Sequence, residues 1–288
     1  MIVFPSSPRK KHPGMQLPGG VFLNFSRPLL MSIINCTPDS FYELSRAPGP
    51  EEAAERALGA EALGADIVDF GAESSRPGAV FIDEEEEIRR LIPALRTFRR
   101  SSSLPVSVDT RKASVARLAL DEGADIINDV SSFSDKAMAS LCAERKAAVV
   151  LLHGLSIEGP SVKPDIDNYI REIRRFLGEA AKKAAGCGIE KEKIILDPGF
   201  GFNKSTMDNF FLLNRLATIG MEDYPLLVGL SRKRFIGDIV EREPEGRISG
   251  TITANTLALI GGADILRVHD TREAVDMVKI FAAFNGTQ

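Results

Sequence analysis

The chain has 288 residues, a length that suits one α/β barrel and exceeds most other single domains. Hydrophobic residues make up 44% of the sequence and charged residues 26%, which excludes an intrinsically disordered chain. The formal net charge of −4 argues against a protein that binds nucleic acid non-specifically through positive charge. No apolar run approaches the ~20 residues of a membrane-spanning helix. We therefore expect neither nucleic acid nor a membrane among the partners.

Cysteine usage and the first residues of the chain bear on its location. Cys36, Cys142 and Cys187 share neither a metal-ligand nor a redox spacing, and their odd number argues against a disulfide framework. We expect three reduced thiols, as in a cytoplasmic protein. Residues 1–4 are too few for the apolar core of a signal peptide, and Pro5 interrupts them. The sequence therefore predicts a cytoplasmic location.

Residues 1–28 form the first predicted unit. They carry the turn-forming residues Pro5, Pro8, Pro13, Pro18, Gly19 and Gly20. We expect this unit to be a β-hairpin or loop that covers the bottom of the domain formed by residues 29–288. We expect no catalytic residue within it.

A weak internal repeat runs through that domain. The three copies are Leu63-Gly-Ala-Asp-Ile-Val-Asp-Phe70, Glu122-Gly-Ala-Asp-Ile-Ile-Asn-Asp129 and Gly261-Gly-Ala-Asp-Ile-Leu-Arg-Val268. Each copy has a glycine suited to ending a helix in the left-handed conformation, then Ala-Asp, then an apolar run of strand length. The repeat predicts recurring connections from a helix to a buried strand.

Eight apolar runs of strand length alternate with segments of helical periodicity. They cover residues 29–34, 67–70, 105–108, 126–127, 148–152, 194–196, 226–230 and 265–268. The runs are almost continuously apolar, which is typical of parallel strands buried on both faces. Eight alternations predict a (β/α)₈ TIM barrel. The structural alternative is a doubly wound open sheet.

Two predicted helices have distinctive start signals. Residues 88–95 place apolar side chains on one helical face, and Pro93 within that stretch predicts a kink or a late start. Asp270 and Glu273 have the spacing of a capping box at the start of the last helix.

Every predicted strand ends in a polar residue. In strand order these exits include Asn35, Glu73, Asp109, Asn128, His153, Asp197, Ser231 and Arg267. A single polar residue after a strand is usually a helix cap or a turn former. Eight of them at equivalent positions predict one shared active site, because the carboxyl ends of all barrel strands meet at the same face.

The exit residues fall into two chemical sets. The first set offers guanidinium, imidazole, hydroxyl and amide groups that match the oxygens of a phosphorylated group: Asn35, Ser75, Arg76, Arg267 and His269. The second set suits a flat heterocycle that presents several N–H donors and a carbonyl: Asp109, Asn128, Asp197 and Lys233. The sequence has no zinc-binding pattern, Walker loop or dinucleotide-binding fingerprint.

Seven motifs in this order resemble those of the dihydropteroate synthases. They are Asn35-Cys-Thr-Pro-Asp-Ser-Phe41, Glu73-Ser-Ser-Arg-Pro-Gly78, Ser107-Val-Asp-Thr110, Ile127-Asn-Asp129, Asp197-Pro-Gly-Phe-Gly-Phe202, Gly229-Leu-Ser-Arg-Lys233 and Arg267-Val-His-Asp270. The resemblance extends from about residue 29 to the carboxyl terminus. It implies an enzyme that condenses 6-hydroxymethyl-7,8-dihydropterin diphosphate with p-aminobenzoate. The products would be diphosphate and 7,8-dihydropteroate, for folate synthesis.

The resemblance also implies a role for each matching residue. The pterin set would be Asp109, Asn128, Asp197, Gly229, Lys233 and Arg267. The diphosphate set would be Asn35, Ser75, Arg76, Arg267 and His269, with Mg²⁺ as the cofactor and Asn35 as its protein ligand. The aminobenzoate set would be Phe41, Pro77, Phe202, Lys233 and Arg234. Catalysis would depend on Asp109, Asp197, Lys233, Arg76 and His269. The family further implies a homodimer formed through outer helices on the late part of the barrel.

Three segments depart from the family pattern. Residues Tyr42-Glu-Leu-Ser45 stand where the family usually has Ser-Asp-Gly-Gly, so the first loop should be stiffer. Arg234 replaces a serine that commonly helps to bind the aminobenzoate carboxylate, and it would either pair with that carboxylate or fill the pocket. The segment after His153 also differs, and we expect this histidine to be structural. Pterin recognition is therefore the better-supported part of the resemblance.

Two alternatives follow from the same residues. A pterin-dependent methyltransferase acting on methyltetrahydrofolate with a corrinoid partner would share the pterin set. It would not need the segments 35–41 and 75–78, whose residues fit a diphosphate. The second alternative is a paralogue that binds pterin but condenses it only weakly, which the altered first loop and Arg234 leave open.

Overall fold

The computed structural model describes residues 12–36, 49–73, 81–154, 166–221 and 223–286. Its strands are β1 (Met15–Gln16), β2 (Phe22–Leu23), β3 (Leu29–Asn35), β4 (Ile67–Gly71), β5 (Val106–Asp109), β6 (Ile126–Asp129), β7 (Ala148–Leu152), β8 (Ile194–Asp197), β9 (Leu227–Val228) and β10 (Ile265–Val268). Its α-helices are α1 (Pro50–Leu63), α2 (Glu84–Arg99), α3 (Ala113–Asp121), α4 (Met138–Glu144), α5 (Ile166–Gly186), α6 (Thr206–Asn214), α7 (Leu216–Ile219), α8 (Arg234–Val240), α9 (Ile248–Ile260) and α10 (Thr271–Phe284). None of the helices described has both the length and the apolar character needed to cross a bilayer.

Strands β3 to β10 form one parallel sheet that closes on itself. Their order in the sheet is β8-β7-β6-β5-β4-β3-β10-β9, so each strand lies beside its neighbours in sequence. A parallel bridge between Leu196 and Leu226 joins β8 to the segment that leads into β9. The closure confirms the (β/α)₈ barrel and excludes the open doubly wound sheet, whose edge strands would be unpaired.

The lower interior of the barrel is an apolar core that the N-terminal hairpin completes. Residues near the start of the barrel strands, among them Ile67, Ile126 and Ile265, are fully buried there. Met15 of β1 and Phe25, which follows β2, pack in the same cluster and are also fully buried. The hairpin therefore covers the amino-terminal end of the strands, and the opposite end of the barrel is left for polar side chains.

The internal repeat has a physical explanation in strand pairing. In each copy the aspartate carboxylate accepts a hydrogen bond from a backbone N–H at the start of the neighbouring strand. The three bonds are Leu30 N to Asp66 at 2.9 Å, Val106 N to Asp125 at 3.0 Å and Leu226 N to Asp264 at 2.8 Å. The glycines Gly64, Gly123 and Gly262 have φ values of 106°, 92° and 88°, so each turns the chain out of its helix as predicted. The repeat thus satisfies N–H groups that would otherwise be unpaired where strands begin.

The structure shows neither the late start expected for α2 nor the capping box expected at the start of α10. Helix α2 begins at Glu84, where the carboxylate of Asp83 accepts from the backbone N–H of Glu86, and it continues through Pro93. Asp270 is the residue before α10, but its carboxylate caps nothing. It accepts instead from Arg232 Nε at 3.0 Å, because that guanidinium offers a charged donor in place of a backbone N–H.

Candidate active site

The barrel strands and the segments that follow them bring a polar cluster into the interior. Its members, here called the pocket residues, are Asp69 from β4, Asp109 from β5, Asn128 from β6, Asp197 from β8, Arg267 from β10 and Lys233 just before α8. The three acidic and amide residues from β5, β6 and β8 were predicted, as were Lys233 and Arg267; Asp69 was not. Successive residues of a strand point to opposite faces, so one side chain per strand end reaches the interior.

Arg267 lies at the centre of this cluster. Its Nε donates to Asp69 at 2.6 Å, and its Nη2 donates to Asp109 at 2.8 Å. The two carboxylates come from neighbouring strands, so the guanidinium is held at two points. The pKa of Arg267 is raised, because the attraction of Asp69 and Asp109 outweighs the opposing effect of burial. The cation is therefore permanent, and its plane is fixed by protein contacts.

Lys233 and Asp197 form the second charged part of the pocket. Lys233 Nζ donates to the backbone carbonyl of Phe200 and lies 4.8 Å from the ring centroid of Phe202. Asp197 accepts from the backbone N–H of Gly199 at 2.7 Å. A Cβ on Gly201 would lie 3.0 Å from Cδ of Lys233, so the glycine leaves the room through which this side chain enters the pocket. The predicted lysine and carboxylate thus lie on the side formed by β8 and the segment after β9.

Burial sets the protonation of three pocket residues. It raises the pKa of Asp109 to about 7, an effect that Arg267 opposes and Asp69 reinforces. It also raises the pKa of Asp197, against the attraction of Lys233. Burial lowers the pKa of Lys233 to about 8, although Asp197 acts in the opposite direction. All three groups are more weakly charged than they would be in water, because the barrel interior solvates charge poorly.

Several polar atoms in or beside the pocket are buried without a partner among the described residues. Among the described residues, nothing bonds Asn128 Oδ1, Asp69 Oδ1 or Ser107 Oγ. The amide nitrogen of Asn128 is engaged, since it donates to Asp69 at 3.3 Å. Unpaired buried acceptors are costly and are uncommon in folded proteins. These oxygens therefore mark a place where a ligand with N–H donors would fit.

The predicted phosphate set is only partly within the described residues. Asn35 is exposed at the end of β3. His269 follows β10 and its Nδ1 lies 3.0 Å from the hydroxyl of Ser231, which orients the imidazole. Ser75 and Arg76 lie outside the described residues. Glu73 immediately precedes residues 74–80, and Ile82 lies just beyond them. The carboxylate of Glu73 accepts a hydrogen bond of 2.9 Å from the backbone N–H of Ile82.

The carboxylate of Glu73 connects two strand ends. It accepts from Arg111 Nε at 3.0 Å and from Lys112 Nζ at 3.1 Å. Lys112 also pairs with Glu87, which is fully buried at the start of α2. Burial raises the pKa of Glu73, but the two cations outweigh it and hold that pKa below its ordinary value. Sequence reasoning placed Glu73 in a motif but did not foresee this network.

The predicted aminobenzoate set is the least complete. Phe41 and Pro77 lie outside the described residues. Phe202 lies beside Lys233, as given above. The side chain of Arg234 is 91% exposed, with its Nε 3.6 Å from Asp238, so it does not fill the pocket. Gly229 lies between two pocket residues, since a Cβ there would be 3.8 Å from Cβ of Arg267 and 4.0 Å from Nζ of Lys233.

His153 is buried outside the cluster. Its ring makes edge contacts with Tyr169 and Phe176 of α5, at centroid distances of 6.2 Å and 5.1 Å. Its Nδ1 lies 3.3 Å from Nζ of Lys204, which also donates to the backbone carbonyl of His153. These contacts join β7 to the surrounding helices, in agreement with the structural role expected for this residue.

Comparison with known proteins agrees with this geometry. The sequence profile of the pterin binding enzymes matches residues 31–269. The dihydropteroate synthase of Escherichia coli K12 is 38% identical over 268 residues, which are 92% of this chain and 94% of that protein. The chain belongs to the dihydropteroate synthase family of pterin-binding enzymes.

Two solved structures of the family show the same fold with ligands. The dihydropteroate synthase of Xanthomonas albilineans with 4-aminobenzoic acid superposes with a TM-score of 0.88 and is 39% identical, covering 96% of this chain and 99% of that one. The same enzyme in complex with 7,8-dihydropteroate gives a TM-score of 0.86 at 37% identity, covering 96% of this chain and 100% of that one.

The raised pKa of Asp109 predicts a pH trend in stability. The folded value of about 7 exceeds the ~3.9 of an unfolded chain, so the folded state binds the proton more tightly. This contribution to folding is fully present below about pH 4 and is lost as the pH rises through about 7. Asp109→Asn removes the titration. The difference in unfolding free energy, native minus variant, should therefore fall between about pH 5 and about pH 7 and level off at higher pH in denaturant titrations.

Glu122→Gln provides the control for this trend. Its hydrogen bond to Arg96 lowers the pKa of Glu122, so the corresponding difference should rise only up to the unfolded value of about 4.3 and stay constant from about pH 5 to about pH 7. A native-minus-Asp109→Asn difference that stays constant or rises over this range would contradict the buried carboxyl described here.

Proposed function

We propose that this chain is a dihydropteroate synthase. It transfers the pterinylmethyl group of 6-hydroxymethyl-7,8-dihydropterin diphosphate to the amine of p-aminobenzoate and releases diphosphate. The observation that carries the proposal is the buried pocket, in which two carboxylates, an amide, an ammonium and a guanidinium converge. The methyltransferase alternative is not favoured, because the relatives reported above are dihydropteroate synthases.

The pterin side of the proposal rests on matching donors and acceptors. The carboxylates of Asp109 and Asp197 and the free Oδ1 of Asn128 accept hydrogen bonds, and a pterin presents ring N–H and amino groups. Lys233 donates on the other side, toward the pterin carbonyl. Arg267, fixed by Asp69 and Asp109, offers a flat cationic face on which the ring stacks. Gly229 lines the space between the two cations.

Catalysis follows from the weak solvation of these carboxylates. When the bond from the methylene carbon to diphosphate breaks, positive charge spreads into the pterin ring. Asp109 and Asp197 are raised in pKa because burial disfavours their ionised forms, so a cation beside them relieves that penalty. The stabilisation is larger in the transition state than in the ground state, which is what accelerates the reaction. The aromatic amine then attacks the methylene carbon and loses a proton.

The diphosphate side uses the exposed edge of the pocket. Arg76, Ser75 and His269 would neutralise and bond the leaving diphosphate, with His269 oriented by Ser231. Among the described residues no group of three or more acidic, histidine or cysteine side chains is placed to bind a metal ion. This donor set fits Mg²⁺ that is held mostly by substrate oxygens and water, with Asn35 as a neutral ligand. When bound, Mg²⁺ would lower the charge on the departing diphosphate.

The p-aminobenzoate would bind beside the pterin, next to Phe202 and Lys233. Phe202 lies beside the ammonium of Lys233, and together they offer a ring contact and a positive charge to the aminobenzoate. Phe41 and Pro77, which lie outside the described residues, would enclose the ring if they act as the family resemblance implies. Arg234 is exposed and pairs with Asp238, so its side chain does not occupy the pocket.

A coupled assay tests the activity directly. Purified protein with pterin diphosphate, p-aminobenzoate and Mg²⁺ should release diphosphate and dihydropteroate in equal amounts, and chelation of Mg²⁺ should slow both. Release of diphosphate without formation of dihydropteroate would show that binding or reaction of p-aminobenzoate is impaired. Pterin binding with neither product would support the weakly catalytic paralogue and contradict the proposed activity.

We further propose a homodimer formed through the late helices. Helices α6, α8 and α10 expose large apolar side chains, namely Met207, Phe211, Ile239, Val240, Ile280 and Phe284. Ile280 and Phe284 are 72% and 79% exposed. All three helices pack against α9. Apolar side chains concentrated on one side of a domain are typical of a surface that a second copy covers. The three free cysteines are compatible with the reducing cytoplasm, where we propose that the protein acts.

Sedimentation equilibrium tests the dimer. The protein should have twice its chain mass of 31.3 kDa, and Ile280→Glu together with Phe284→Glu should shift it to the monomer. Leu118→Glu on α3, where Leu118 is 38% exposed, is the control and should leave the dimer intact. A monomer at all concentrations, or a dimer insensitive to the α10 changes, would contradict this interface.

A further inference from the structure

Asp69 is the charged pocket residue for which the proposed reaction provides no contact with substrate. It lies midway along β4 and is fully buried. One of its carboxylate oxygens, Oδ2, accepts from Arg267 on β10 and from Asn128 on β6. These strands lie on opposite sides of β4 in the barrel. Asp69 therefore connects two pterin-set residues that do not bond each other.

The contact with Asn128 determines how its amide points. A carboxylate only accepts hydrogen bonds, so the amide nitrogen of Asn128 must face Asp69. Its oxygen is then directed elsewhere, and this oxygen is buried without a partner among the described residues. Rotation of the amide by half a turn would place two acceptors against each other. Asp69 thus makes Asn128 an acceptor for whatever enters the pocket.

The contact with Arg267 determines the plane of its guanidinium. Asp69 holds Nε and Asp109 holds Nη2, which leaves no free rotation of the group. Without Asp69 only the Asp109 contact would remain, and the guanidinium could turn about it. Stacking on a flat ring requires a fixed plane.

Stability alone is a poor explanation for Asp69. Its second oxygen, Oδ1, is buried without a partner, and so is the hydroxyl of Ser107, its register partner on β5. A buried ion pair with incomplete hydrogen bonding stabilises a fold weakly, and apolar residues at such a position often do better. The unfavourable free energy of burying Asp69 with an unpaired oxygen is consistent with a residue whose role is to orient Asn128 and Arg267.

We propose that Asp69 is a positioning residue that makes the pocket selective for the pterin: it presents the Asn128 oxygen to a ligand N–H group and fixes the Arg267 plane on which the ring lies. This inference rests on the proposed function of the pocket. Asp69 itself touches no substrate. Its effect falls on binding of the pterin diphosphate and not on the second substrate, since neither Asn128 nor Arg267 belongs to the aminobenzoate set.

Asp69→Asn tests the inference with little change in shape. The new amide can donate to Asn128, so the Asn128 oxygen is no longer directed at the ligand. The Michaelis constant for pterin diphosphate should rise about tenfold or more, as expected for a lost charge-assisted hydrogen bond. The Michaelis constant for p-aminobenzoate should not change. Equal changes in both constants, or a fall in kcat alone, would overturn the inference.

Asp129→Asn is the matched control. Asp129 is also fully buried and ends β6, but its carboxylate accepts from Ser131 N at 2.9 Å and Phe133 N at 2.7 Å. It braces the following turn and bonds no pocket residue. This variant should lower the thermal unfolding temperature while the folded protein keeps the native Michaelis constant for pterin diphosphate. An equal rise in that constant for both variants would mean that loss of any buried carboxylate has this effect, and the inference would fail.

A double-mutant cycle tests the route through Asn128. Asp69→Asn should weaken pterin binding less in an Asn128→Ala background than in the native background, because the oxygen that it orients is gone. Fully additive effects would overturn this route. Pterin binding is measured by calorimetry with the pterin diphosphate itself, so turnover is not needed.

Asp197→Ala separates failure of the inference from failure of the proposed function. If Asp197→Ala abolishes pterin binding while Asp69→Asn binds normally, the pocket is a pterin site and only the inference about Asp69 is wrong. If both variants bind pterin as the native protein does, the pocket is not the pterin site and the proposed function also fails.

Discussion

The two ion pairs of Arg267 organise the centre of this protein. A guanidinium inside a barrel loses several kcal/mol of hydration unless carboxylates compensate for it. Asp69 and Asp109 do so from neighbouring strands, and each is in place because alternate residues of a strand face the interior. The hairpin and the apolar lower core make this arrangement possible, since they close one end of the barrel and leave the polar cluster at the other.

The pocket is electrostatically incomplete without a ligand. Burial weakens the charges of Asp109, Asp197 and Lys233, and it leaves the oxygen of Asn128 unpaired. A pterin supplies the missing hydrogen-bond donors. The positive charge that develops during its reaction stabilises the ionised forms of Asp109 and Asp197, which burial disfavours. The same groups that cost folding free energy therefore provide recognition and stabilisation of the transition state. Function and stability oppose each other in this cluster, as they often do at active sites.

The sequence predicted the barrel well because its signals are local. Apolar runs gave strands 148–152 and 265–268 at their observed bounds, whereas the run 226–230 shortens to Leu227–Val228 because the chain there already turns toward Lys233. Asp69 was missed for a physical reason: it sits inside an apolar run, and its partner Arg267 is 198 residues away, so no spacing pattern connects them. A charged residue within a strand buried on both faces was the available signal. The sequence did not decide where the side chain of Arg234 lies. Its pairing with Asp238 arises from the spacing of the two residues on helix α8.

A crystal structure of this chain with a dihydropterin bound tests the role of the Arg267 ion pairs most directly. We predict that the ring lies on the Arg267 guanidinium, with both ion pairs to Asp69 and Asp109 retained. The Asn128 oxygen should accept from a pterin N–H, and the ring edge should lie between Asp197 and Lys233. A pterin bound outside the barrel mouth, or an Arg267 that leaves Asp69 when the pterin binds, would contradict the central claim.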